Sequence, residues 1–183
     1  MQHNYQDLIQ IFSDTFFKQY NTCLVKGGDE PLYLPANENC AFDQIIFARG
    51  YYASAFHEIA HWCQAGEERR LLEDFGYWYI PDGRNEKQQK RFEQVEIIPQ
   101  AIEWAFNVAA KKKFYVSSDN LDGFQADTDG FKGKVFQQVK VFLKQGFPAR
   151  ANQFIEALAL FYNTSLPLTI EHFSNIKEEI ECL

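Results

Sequence analysis

The chain has 183 residues, 46% of them apolar and 23% charged, enough for one domain with a real core and too few for two full ones. Its formal net charge of −7 argues against broad nucleic-acid binding, which requires a basic face, and suits a neutral or cationic partner. No stretch reads as a transmembrane span or a signal peptide, so no membrane association is expected, and Cys23, Cys40, Cys63 and Cys182, which form no C-x-x-C pair, read as reduced cytoplasmic thiols.

Residues 4–19 carry Leu8, Ile9, Ile11, Phe12, Phe16 and Phe17 at helical spacing, which predicts an amphipathic helix on the core. Cys23-Leu24-Val25-Lys26 and Leu32-Tyr33-Leu34 are short extended runs separated by the turn signal Gly27-Gly28-Asp29-Glu30, and together they predict a hairpin. After a polar loop, residues 44–48 read as a third strand, placed to hold an extended substrate segment. Gly50 separates it from a helix over 51–65, which Gly66 should end as the C′ residue just past its last turn. Residues 67–73 fit one or two further helical turns. The aromatic run Phe75-Gly76-Tyr77-Trp78-Tyr79-Ile80 and the turn Pro81-Asp82-Gly83-Arg84 read either as a strand and turn or as a loop walling a pocket. Residues 85–110 are a long helical pattern that Pro99 should kink or split. Lys111-Lys112-Lys113 reads as a solvated helix end, 116–130 as a loop, and 131–145, 149–163 and 169–176 as three more helices. One α+β domain spanning 1–183 is the expectation, a small mixed sheet with several helices.

The chemistry concentrates in Phe56-His57-Glu58-Ile59-Ala60-His61, a His-Glu-x-x-His motif inside the second predicted helix. Two histidines four apart on a helix differ by only about 40° of rotation and about 6 Å of rise, so both imidazoles can grip one metal ion. Glu58 points about 100° away from that line and is placed for acid–base work or for supporting the site. Two histidines do not complete a metal centre, and the remaining ones, His3 and His172, lie near the termini. A carboxylate is the expected third ligand. Glu93 and Glu96 sit one turn apart on the long helix, and Glu96, among Val95, Ile97 and Ile98, is favoured as the more buried. Glu103 and Asp119 are weaker candidates. Two histidines and a carboxylate fit zinc hydrolysis with Glu58 as base, of a peptide or a phosphodiester, and equally an iron(II) oxygenase.

Several blocks in one order resemble the elongation factor P hydroxylase family. They are Gly27-Gly28-Asp29-Glu30-Pro31-Leu32-Tyr33-Leu34-Pro35, Tyr52-Ala53-Ser54-Ala55-Phe56-His57-Glu58-Ile59-Ala60-His61-Trp62-Cys63, Asp74-Phe75-Gly76-Tyr77-Trp78-Tyr79, Pro81-Asp82-Gly83-Arg84, and Phe92-Glu93-Gln94-Val95-Glu96 with Pro99-Gln100-Ala101. The resemblance covers nearly the whole chain. It implies a cytoplasmic enzyme that hydroxylates the β-lysylated lysine of elongation factor P, with a divalent metal, iron(II), and dioxygen as co-substrate. It also implies a fold like that of a metal-dependent RNase family sharing the His-Glu-x-x-His helix, and a triad carried over as His57, His61 and Glu96. A substrate bearing ammonium groups gives the acidic balance a use, and Asp74, Asp82, Tyr77 and Trp78 are the expected pocket residues.

Overall fold

The computed structural model describes residues 3–76, 82–118, 120, 124 and 127–176. Helix α1, Tyr5–Tyr20, starts at Asn4, whose side chain accepts a hydrogen bond from the Gln6 N–H, and stops at Asn21 in the left-handed conformation. Its buried residues Leu8, Ile11, Phe12 and Phe16 form one stripe. Strands β1, Thr22–Lys26, β2, Leu32–Leu34, and β3, Asp43–Phe47, make one mixed sheet in the order β1-β3-β2.

The hairpin expected between β1 and β2 does not form. Strand β3 lies between them, parallel to β1 and antiparallel to β2. The glycine turn explains this: the Gly27 N–H donates to the Phe47 carbonyl at 2.9 Å and the Arg49 N–H to the Gly28 carbonyl at 2.8 Å. The turn thus extends the β1–β3 pairing instead of folding back, and a side chain at Gly27 would run into Ile46. The same order removes the role expected of the third strand. Both edges of β3 are already paired, so it offers no edge for an incoming substrate segment.

Gly50, at φ +81° and close under the Tyr5 ring, turns the chain into α2, Tyr52–Gln64. Gly66 stands where the sequence predicts, one residue past the C-cap, but without the left-handed conformation of a glycine cap. Ala65 caps it in an extended conformation. Arg150, from the start of α5, donates to the carbonyls of Trp62 at 2.9 Å, Cys63 at 3.2 Å and Ala65. Arg70 adds a 2.9 Å bond to Ala65. Two guanidiniums therefore satisfy the orphan carbonyls that a glycine cap would otherwise have handled.

Two short 3₁₀ turns follow, Arg69–Leu71 and Glu73–Gly76. In the second, Asp74 and Phe75 both take left-handed angles, φ 48° and 56°. They are held there because Asp74 accepts from the Tyr33 N–H at 3.0 Å and Phe75 stacks on the Tyr33 ring at 4.1 Å. The remainder of the aromatic run, Tyr77, Trp78, Tyr79, Ile80 and Pro81, lies outside the described residues.

Helix α3, Glu86–Ala109, is one helix with Pro99 inside, so it is not split there. It opens with a capping box between Asn85 and Gln88. Pro99, itself buried, has no N–H to give the Val95 carbonyl, so the helix continues with one backbone bond fewer. Helices α4, Thr128–Gln145, and α5, Ala149–Tyr162, pack on α3, and a 3₁₀ segment, Ile170–Ile176, closes the described chain.

The core is aromatic. Phe154 of α5 meets Phe12 and Phe16 of α1, Phe56 of α2 and Phe106 of α3, with ring centroids 5.0–6.4 Å apart. Trp62 packs on Phe12, Phe16 and Tyr20. The result is the α+β architecture the sequence predicts, a small sheet covered by helices. Cys23, Cys40 and Cys63 are free thiols. No helix among the described residues is long and apolar enough to cross a membrane.

Candidate metal centre

Helix α2 has two working faces. Ala55, Phe56, Ile59, Ala60, Trp62 and Cys63 are buried in the aromatic core. His57 and His61, four residues apart, project together on another side, toward α3. The part of α3 they meet is polar although it is buried. Gln89, Glu93, Glu96, Gln100, Glu103 and Asn107 are all 8% exposed or less, and their spacing of four, three, four, three and four residues puts them on a single stripe.

Midway along that stripe the three groups converge. His57 Nε2 and His61 Nε2 are 3.1 Å apart. Glu96 brings Oε1 to 3.2 Å from His61 Nε2 and Oε2 to 3.6 Å from His57 Nε2. One ligand atom from each residue lies within 4.8 Å of the others, the spacing that a single ion can span. Among the described residues this is the one group of three or more metal-ligating side chains with that geometry.

The residues behind the ligands are also polar. Glu103 Oε2 lies 3.1 Å from His57 Nδ1, the ring nitrogen facing away from the cluster. Gln100 donates from Nε2 to Glu96 Oε2 at 3.3 Å and to the Ser117 carbonyl at 2.7 Å, and its Oε1 accepts from the Ser117 N–H at 3.1 Å. The Glu96 carboxylate is thereby tied to the loop after α3.

The electrostatics follow from this crowding. Burial works against a charge on Glu96, but His61 and His57 outweigh it, and with the Gln100 hydrogen bond they hold the carboxyl down to about 2. Burial likewise opposes a charge on His57, and the carboxylates of Glu96, Glu103 and Glu58 overcome it and push the imidazole up to about 10. Burial raises both Glu58 and Glu103. Glu58 feels the negative charges of Glu96 and Asp74 but stands outside the group of three.

Of the other candidate residues, Glu93 is buried one turn before Glu96 and faces Gln89, at 3.4 Å, and Lys134, at 3.7 Å, rather than the histidines. Glu103 reaches the wrong nitrogen of His57 to share an ion with it. Asp119, Tyr77 and Trp78 lie outside the described residues. Asp74 stands near enough to Glu58 to act on it, whereas Asp82 accepts from the Gly83 N–H in its own turn. Arg84, in the turn read as the end of a strand or of a pocket-walling loop, is 1% exposed. Its guanidinium lies 3.8 Å over Phe92 and donates to Gln89 and the Ser118 carbonyl, both at 2.9 Å. A cation held between a ring and two acceptors pins the chain after α3 to the start of that helix.

Sequence reasoning missed Gln89, Gln100, Asn107 and Arg150. The first three share a signal that was present: polar residues repeating at four and three along α3, in register with Glu93, Glu96 and Glu103. Arg150 left no local signal, since its partners lie 85 to 88 residues away.

Two imidazoles and one carboxylate, presented by facing helices in an α+β domain, could hold a metal ion and match the donor set that mononuclear metal enzymes use. Comparison with known proteins resolves which kind. The family model for elongation factor P hydroxylase matches residues 11–173. A Haemophilus influenzae protein named elongation factor P lysine hydroxylase is 52% identical over 173 residues, 94% of this chain and 97% of the relative. The chain belongs to the elongation factor P hydroxylase family, and is an enzyme of the hydroxylase class. The zinc hydrolase alternative finds no support in these relatives.

Proposed function

We propose that this chain hydroxylates a lysine-derived side chain of elongation factor P, the β-lysylated one, at a metal ion held by His57, His61 and Glu96. The observation that carries the reading is the close relative, named for lysine hydroxylation of elongation factor P and matched over almost its whole length, taken with the three converging ligand atoms. The donor set fits a metal because Glu96 is 1% exposed and carries its charge among two imidazoles and an amide, a costly burial that an ion would complete.

Iron(II) is the metal we assign, and when bound it would supply open coordination positions and the redox capacity to activate dioxygen. In the balanced reaction one oxygen atom enters a C–H bond of the substrate and the other leaves as water, with an electron pair from an external reductant and protons from solvent.

The chain's own residues do the rest. His57 and His61 present Nε2 from one rigid helix, so their separation is set by the helical repeat. Glu96 supplies the balancing negative charge, oriented by Gln100. Glu58, its carboxyl raised by burial at the edge of the site, is placed to hold or release a proton. Asp74, whose charge acts on Glu58, adds negative charge on that side of the site, which suits the ammonium groups of the substrate. A translation factor as substrate puts the reaction in the cytoplasm.

Intact-mass measurement of β-lysylated elongation factor P tests this. Incubation with the iron-loaded chain, oxygen and a reductant should add one oxygen atom, and His57→Ala should abolish the gain. No mass change with iron-loaded wild-type protein would refute the assignment.

A further inference from the structure

The stripe on α3 does more than deliver Glu96. Seven residues on, two helical turns later, Glu103 stands behind His57. It comes from the same face of the helix, is 8% exposed, and sits 3.1 Å from Nδ1. Two facts fix what it can do. Its carboxylate meets the ring edge opposite the one that faces His61 and Glu96, so it cannot share an ion with them. And it approaches from α3, so it ties the motif helix to the same helix that supplies the third ligand. Its own turn is braced by Asn107, whose Nδ2 donates to the Glu103 main-chain carbonyl at 2.9 Å.

We propose that Glu103 is a positioning residue: by accepting the Nδ1–H of His57 it holds the imidazole in the tautomer and the rotation that aim Nε2 at the metal. An imidazole hydrogen-bonded to a carboxylate at one nitrogen has its lone pair committed at the other, and cannot swing its ring plane away. Free in its pocket, His57 would share its proton between two nitrogens and sample other rotamers, each a cost on metal entry. Gln100 performs the matching service for Glu96, so two of the three ligands are steadied from one helix. The inference rests on the reading of His57, His61 and Glu96 as ligands, but not on the identity of the substrate.

The test uses zinc(II) as a diamagnetic probe on the full chain, with no elongation factor P present. Zinc affinity comes from competition with a chromogenic chelator, and the His57 Nδ1–H from proton–nitrogen correlation spectra of the zinc-loaded protein. Glu103→Ala should weaken zinc binding by about 10–100-fold and bring the Nδ1–H into fast exchange with water. Glu103→Gln, whose side-chain oxygen can accept the same bond, should restore most of the affinity and keep the slow proton. Thermal melting of the metal-free variants separates a folding defect: a drop in melting temperature with wild-type zinc affinity and an unchanged Nδ1–H would make Glu103 merely structural and overturn the proposal. If Glu103→Ala does not fold, Glu103→Gln decides alone, since wild-type spectra are expected and a lost slow proton with unaltered affinity would contradict it. Failure of the wild-type chain to bind zinc would refute the ligand assignment itself, whereas zinc binding together with no mass gain of elongation factor P on incubation with the iron-loaded chain would refute only the substrate reading.

Discussion

The two faces of α2 divide the molecule. One face, Phe56, Ile59 and Trp62, is itself fully buried and sits in an apolar aromatic cluster. The other, His57 and His61, meets a stripe of α3 that is nearly as buried but polar at six successive turns. The first face is stabilised by burial, which is nondirectional and tolerant of rearrangement. The second contributes nothing so simple. Every charge in it is costly alone and acceptable only beside its partners. The contrast teaches that one helix can be anchored by one side and made reactive by the other, so substitutions on the two sides should fail differently.

The largest difference is expected at Glu96. Glu96→Ala should reduce hydroxylation to background while leaving the far-ultraviolet circular dichroism of the fold intact. On the apolar side, Phe154→Ala removes the ring shared by α1, α2, α3 and α5 and should cost about 3–5 kcal/mol in denaturant unfolding. It should keep metal binding at low denaturant, so an unchanged midpoint would break the division between the faces. Metal at about one hundred times its dissociation constant should add about 2.7 kcal/mol to unfolding. Phe154→Ala should show the same increment and Glu96→Ala none.

Smaller effects probe the ends of the two helices. Arg150→Met leaves the Trp62 and Cys63 carbonyls of α2 without their cation and should destabilise by about 2 kcal/mol, read as a shifted melting temperature. Asn85→Ala breaks the capping box of α3 for about 1 kcal/mol. Because Asn85 lies three turns before Glu96, that substitution should not alter metal affinity.

The sequence made the apolar face of α2 and the histidine pair plain, because both depend only on positions within one helix. The strand order was not legible in it. Cys23-Leu24-Val25-Lys26, Gly27-Gly28 and Leu32-Tyr33-Leu34 carry every local signal of a hairpin, and only the long-range bonds of Gly27 and Gly28 to the end of β3 select the other pairing. Pro99 left two outcomes open, a kink or a split, and the helix runs through it unsplit while its turns pack on α2, α4 and α5. Glu96 was favoured over Glu93 on the apolar character of its neighbours, and the two residues do part company: Glu96 turns to the histidines and Glu93 to Lys134. The supporting roles of Gln100 and Glu103 stayed hidden because a glutamine or glutamate in a helix reads first as a solvent-facing residue. Their heptad-like repeat was the one clue, and it gains meaning only when α2 is seen to face it.

The proposed centre depends on α3 lending its third ligand from Glu96. Equilibrium dialysis against iron(II) under anaerobic conditions measures this directly on the wild-type chain, Glu96→Ala and Glu93→Ala. One ion per chain is predicted for the wild type and for Glu93→Ala, and none for Glu96→Ala at the same free iron. One tightly bound ion in Glu96→Ala, with binding lost in Glu93→Ala, would contradict it.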